Sequence, residues 1–132
     1  MTWTARSRRT AALLTAIAFL TAALVAYGLH VARLWVMSTE GDVPPASVLQ
    51  LPPGATVTSD EIGCASGGCR RSLTVEPGAG VSSEHLAESL DITPQLRIEG
   101  TLLDPRTVFV SSTPCDATLV ISLDYFSGPN QP

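Results

Sequence analysis

The sequence contains no lysine, no charged residue between Ala11 and Leu29, and no acid before Glu40. Each absence narrows what the chain does. Without lysine, all eight cations are arginines, and with Gly and Pro at 10 each and Ala abundant the composition carries the codon bias of a high-GC bacterial genome, which says nothing of function. The uncharged stretch from Ala11 to Leu29 is mostly Ala, Leu, Ile, Val and Phe, and it draws apolar residues into one segment that a soluble domain does not need. Residues 1–36 hold Arg6, Arg8, Arg9 and Arg33 and no acid, so residues 37–132 carry all twelve acids against Arg70, Arg71, Arg97 and Arg106, a net charge of −8. Nucleic-acid phosphates would be repelled by so acidic a surface, and a nucleic-acid partner is not expected. A chain of 132 residues allows one ordinary domain at most. The part beyond Val36 is too short for most folds with a deep pocket, and no motif in it specifies a reaction. The expectation is therefore a protein that is not an enzyme and takes no cofactor.

A helix rises about 1.5 Å per residue, so Ala11 to Leu29 covers roughly 28 Å, close to the ~30 Å of a bilayer's hydrocarbon core. Arg6, Arg8 and Arg9 precede it, and the positive-inside rule places residues 1–10 in the cytoplasm and the rest outside. Beyond the run, Arg33 snorkels toward the outer headgroups beside the interfacial aromatics Tyr27 and Trp35. Residues 11–36 thus read as a transmembrane signal anchor whose partner is the lipid bilayer. The alternative is a cleaved signal peptide and a secreted domain, with Ala26-Tyr27-Gly28 as the small-residue site. Against it, Leu29 to Met37 stays mostly apolar and would leave a sticky new terminus. Ser7-Arg8-Arg9 also fits a twin-arginine signal, although Ala11 and Ala12 follow where stronger hydrophobes are usual. Ala18, Ala22 and Ala26 share a helix face that permits close pairing of two helices, but so alanine-rich a segment forms such a ridge by chance.

Residues 37–51, with Gly41, Pro44 and Pro45 beside Glu40 and Asp42, read as a Pro-rich spacer that lifts the domain off the headgroups. The domain itself is expected over residues 52–128, with a frayed tail at 129–132. Val57 to Ile62 and Arg70 to Glu76 read as a hairpin whose loop holds Cys64, Gly67, Gly68 and Cys69. Ser82 then fits a helix N-cap, with Val81 and Leu86 at hydrophobic-staple spacing and Leu86 and Leu90 on one stripe of a helix of about ten residues that Thr93-Pro94 ends. Leu96 and Ile98, a turn at Leu103-Asp104-Pro105-Arg106, and strands over Thr107–Ser111 and Ala117–Phe126 follow, the last two joined at Thr113–Asp116. The order is β-β-α-β-β-β, an α+β domain with one helix on a mainly antiparallel sheet.

Outside the cytoplasmic membrane, thiols oxidise. Cys64 and Cys69 face each other across the hairpin loop within disulfide reach, and closing so small a ring contributes about 2 kcal/mol on the chain-entropy account. Cys115 is left unpaired: it is buried and inert, joins a second copy of the chain, or is the true partner of one of the others. Zinc bound by the cysteines and His85 fits in ligand type and matches no structural spacing, so no metal is expected. A redox dithiol wants Cys-x-x-Cys rather than this spacing. His85 with Glu84 and a serine suggests a triad, but no nucleophile elbow is present and first-turn acids already suit the helix dipole. Arg70 and Arg71 form an exposed cationic spot that offers a partner contact or merely charges a strand edge against aggregation.

The short Arg-rich start, Ala/Leu span, Pro-rich spacer and Cys64–Cys69 hairpin together resemble the small uncharacterised membrane-anchored or secreted proteins of actinobacteria. The likeness covers the whole chain in architecture and implies no activity. The order of elements is also similar to small α+β domains that follow a single span in cell-envelope assembly proteins, without their second helix. These readings combine into a single-pass membrane protein whose exterior domain contacts another envelope protein, or a second copy through the helix or Cys115. The alternative is an exterior small-ligand-binding or sensor module.

Overall fold

The computed structural model describes residues 3–39, 41–65 and 68–127; Glu40, Gly67 and the tail 129–132, on which expectations rested, lie outside them. The chain divides into two units, Met1–Arg33 and Leu34–Pro132. The first is one helix. Helix α1 runs over Trp3–Thr39, and its stretch Arg8–Ser38 is long and apolar enough to cross a membrane, with a mean hydropathy of 2.1 and its most apolar part unburied, although Ser38 at its end is buried. Its polar side chains are compatible with that setting: the Thr15 and Thr21 hydroxyls donate to the Ala11 and Ile17 carbonyls, 2.9 Å in each case, so neither seeks water.

The second unit is an α+β domain. After a 3₁₀ turn at Ala46–Val48 come strands β1 (Thr56–Ala65) and β2 (Gly68–Glu76), helix α2 (Ser83–Ser89), and strands β3 (Leu96–Ile98), β4 (Val108–Cys115) and β5 (Thr118–Asp124). They form one sheet in the order β1-β2-β5-β4-β3, antiparallel at every pairing. Alternation decides its faces. Leu73 and Val75, Leu119, Ile121 and Leu123, and Val108 and Val110 point into one core, which Leu86 and Ala87 of α2 and Ile92 complete. The opposite face is hydroxylic: the register sets Ser72, Ser122 and Ser111 side by side across three strands, with Thr74, Val120 and Thr113 in the next row.

Helix α2 starts where expected and stops sooner. The Ser82 hydroxyl accepts from the His85 N–H at 3.2 Å, satisfying a donor the helix cannot. Val81 is exposed, whereas Leu86 is buried. The end comes not at Thr93-Pro94 but at Asp91, which takes a positive φ of 55° so that its N–H reaches the Glu88 carbonyl and the Ile92 N–H the Ala87 carbonyl. This is a Schellman closure with Asp in the place glycine usually takes, and it draws Ile92 into the core. The β4–β5 turn also moves, to Asp116 and Ala117, because Cys115 pairs with Thr118. Ser83 is buried at that turn and donates to the Asp116 carbonyl at 3.2 Å, fixing α2 there.

Residues 41–51 depart furthest from expectation. Their composition is that of a spacer, yet Pro44 is buried and Ala46, Val48, Leu49 and Leu51 lie against the core. The prolines that suggested an extended linker provide apolar surface without N–H groups in need of partners, so the segment can be covered cheaply.

Candidate functional site at the Arg106 end of the sheet

Pro105 and Arg106 follow a bend that Gly100 makes possible. A Cβ on Gly100 would collide with the backbone of Asp104 and Pro105, so only glycine lets the two limbs of the β3–β4 connection close. The Thr101 N–H donates to the Asp104 carbonyl at 2.7 Å, and the Asp104 N–H to the Thr101 hydroxyl at 3.2 Å. The expected turn at Leu103–Arg106 is thus a bend begun earlier, at Thr101. It carries Arg106 inward.

Arg106 has a side chain only 4% exposed, and nearly all its donors are engaged. Its Nε and one terminal nitrogen grip the Asp104 carboxylate at 2.8 and 2.7 Å. The other terminal nitrogen donates to the Asp42 carboxylate at 2.6 Å and to the Leu34 carbonyl at 3.2 Å. The guanidinium lies over the Tyr125 ring, 3.9 Å from its centroid. Hydrogen bonding to Asp104 raises the pKa of Arg106 further above its already high value, with Asp42 adding to it against the opposing effect of burial. Burial raises the Tyr125 phenol, and the adjacent guanidinium only partly offsets it. Three stretches of chain, 34–42, 104–106 and Tyr125, thus meet at one cation. Beside it opens a cleft of about 340 Å³ with Val48, Ile98, Glu99 and Tyr125 in its wall. A ligand there would find the cation already neutralised by two carboxylates.

The other predicted residues fall into separate places. Cys64 and Cys69 are register partners at the tip of the β1–β2 hairpin and are joined by a disulfide. Gly68, which opens β2 just before Cys69, has a positive φ of 121° and the Phe126 ring where a side chain would begin. Arg70 and Arg71 do not act together. Arg70 is exposed, while Arg71 turns to the core face, donates to the Pro44 carbonyl at 3.1 Å and sets its Nε 3.1 Å from the Asp60 carboxylate, an ion pair without hydrogen-bond alignment. Cys115 is a free, exposed thiol at the opposite end of the sheet. His85 is exposed on α2, 3.9 Å from Glu88. Backbone and Ser82 hydrogen bonds lower the Glu84 carboxyl, as befits a first-turn acid. Among the described residues, no three His, Cys, Asp or Glu side chains gather to hold a metal ion.

Arg106, Asp104, Asp42 and Tyr125 share no signature in the sequence that marks them as a cluster. The only local signal was an Asp two residues before an Arg around a proline, which reads equally as a surface turn. No protein-family model, curated protein or solved structure matches the chain.

Proposed function

We propose that the protein is a single-pass membrane protein with residues 1–10 in the cytoplasm, and that its exterior domain is a protein-interaction module of the cell envelope. The unburied, uncharged length of α1 supports the anchor, and the arginines before it support the orientation. The observation that carries the interaction reading is β1. This strand is ten residues long, lies at the sheet edge, and is exposed at every position except Ser59. Its outer backbone groups are a template for a partner strand. The filled core and the self-neutralised Arg106 favour this over a small-ligand carrier. The order of Arg-rich start, apolar span and small Cys-hairpin domain resembles that of small membrane-anchored or secreted actinobacterial proteins, which makes that envelope the setting to test.

Two measurements test the proposal in intact cells. Mass spectrometry of the membrane fraction should find the N-terminal peptide on the mature chain, whereas a chain beginning near Leu29 would remove the anchor. A photo-crosslinking residue at Ile62 on β1 should give a discrete protein adduct that the same residue at Glu88 on α2 does not. Equal labelling at the two positions would remove the β1 assignment.

A further inference from the structure

Leu102 and Leu103 are 84% and 79% exposed, more than any other large apolar side chain among the described residues, including those along α1. We infer that they form a second membrane contact, entering the boundary between headgroups and acyl chains of the outer leaflet; this rests on the anchor reading above.

Three observations support it. First, the leucines are held out rather than left loose. The Thr101–Asp104 hydrogen bonds close the bend beneath them, Gly100 lies against the backbone of Asp104 and Pro105, and the Asp104 carboxylate is fixed by Arg106. Second, the bend stands at a particular end of the sheet. Arg106, just beyond it, bonds Leu34 and Asp42, so the leucines share that end of the domain with residues 34–42. There Trp35, Val36 and Met37 are also exposed, at 53%, 57% and 39%. The Cys115 turn lies at the far end of β4, roughly 23 Å away at about 3.3 Å per residue. Third, charge at this end is largely compensated, although Glu99 before Gly100 stays exposed. Asp42 and Asp104 are paired with Arg106, and Arg70 is exposed where β2 leaves the disulfide loop, a cation for lipid phosphate. A zwitterionic lipid boundary would cover Trp35 and Val36 without demanding a charge complement to a domain of net −8.

The test uses the full chain in a Cys115→Ser background, reconstituted in phosphatidylcholine vesicles whose lipids carry a nitroxide about 5–10 Å below the headgroups. An environment-sensitive fluorophore is placed through Leu102→Cys, or through Ala117→Cys at the far end as control, with the Cys64–Cys69 disulfide left oxidised. The expected result is a blue-shifted probe at 102 that loses most of its emission to the nitroxide, beside an unquenched probe at 117. A probe at 102 quenched no more than that at 117, in a chain that still floats with the vesicles after alkaline carbonate, overturns the inference and leaves the anchor standing. A blue shift at 102 without quenching also overturns it, since a second protein copy then covers the leucines. Release of the chain by carbonate overturns the anchor and this inference together.

Discussion

Replacing Arg106 with methionine removes the cation while keeping most of the stem that lies on Tyr125. Three charge-assisted contacts are lost, two to Asp104 and one to Asp42, along with the bond to the Leu34 carbonyl. Hydrogen bonds to charged groups contribute about 1.5–3 kcal/mol each when buried, but the two carboxylates are 39% and 41% exposed and recover water once freed. The net cost is accordingly about 3 kcal/mol, a large share of the roughly 5–15 kcal/mol that holds a domain together. With a urea slope of about 1.5 kcal/mol per molar, the midpoint falls by about 2 M. Pulse proteolysis of the full chain in nanodiscs reads that midpoint on the sheet domain. Arg97→Met is the comparison: Arg97 is exposed and sits over the Phe109 ring at 5.4 Å, an interaction of about 0.5–1 kcal/mol. Asp42→Asn should lower the midpoint in the parent and leave it nearly unchanged beside Arg106→Met. The reasoning is refuted if Arg106→Met shifts the midpoint no further than Arg97→Met, or if the effects of Asp42→Asn and Arg106→Met simply add.

Ser82→Ala should cost about 1 kcal/mol and Ser82→Gly only a few tenths, read by the same proteolysis midpoint, because glycine tolerates the cap backbone while alanine does not replace the bond to His85. The Tyr125 phenol is raised above 10.0 in the folded chain, so its contribution is fully present below that pH and is lost as pH rises through the folded value. Stability of the parent should therefore fall above pH 10 more steeply than that of Tyr125→Phe, in parallel urea titrations. Replacing Cys64 and Cys69 together with serine should remove about 2 kcal/mol, and the parent should show the same loss on reduction.

Local chemistry is what the sequence discloses here. The Ser82 cap, the alternating Leu73 and Val75, and the cysteines around a glycine loop are all written within a few neighbouring residues, and the structure places each in that role. Helix α2 ended early because Asp91 accepts a left-handed conformation that burial of Ile92 rewards, a tertiary effect with no signature at Asp91. The Arg106 cluster was hidden for the same reason. Arg106 and Asp42 are 64 residues apart, and nothing within reach of either states that the other exists. Residues 41–51 likewise look like linker by composition and become part of the domain only because a core and an arginine elsewhere receive them.

The order β1-β2-β5-β4-β3 sets a timetable for the chain's folding. Strand β5 is the last of the described strands to be made and pairs with both β2 and β4 in the middle of the sheet. Until Asp124 has been made, β1–β2 and β3–β4 are two hairpins with no common neighbour, each showing an open edge and half a core. The domain cannot assemble strand by strand as it emerges; it must be kept apart from other unfinished chains and then close in one step. Chain segments that stop before Thr118 should consequently be protease-sensitive whatever their length, and resistance should appear abruptly once β5 is supplied.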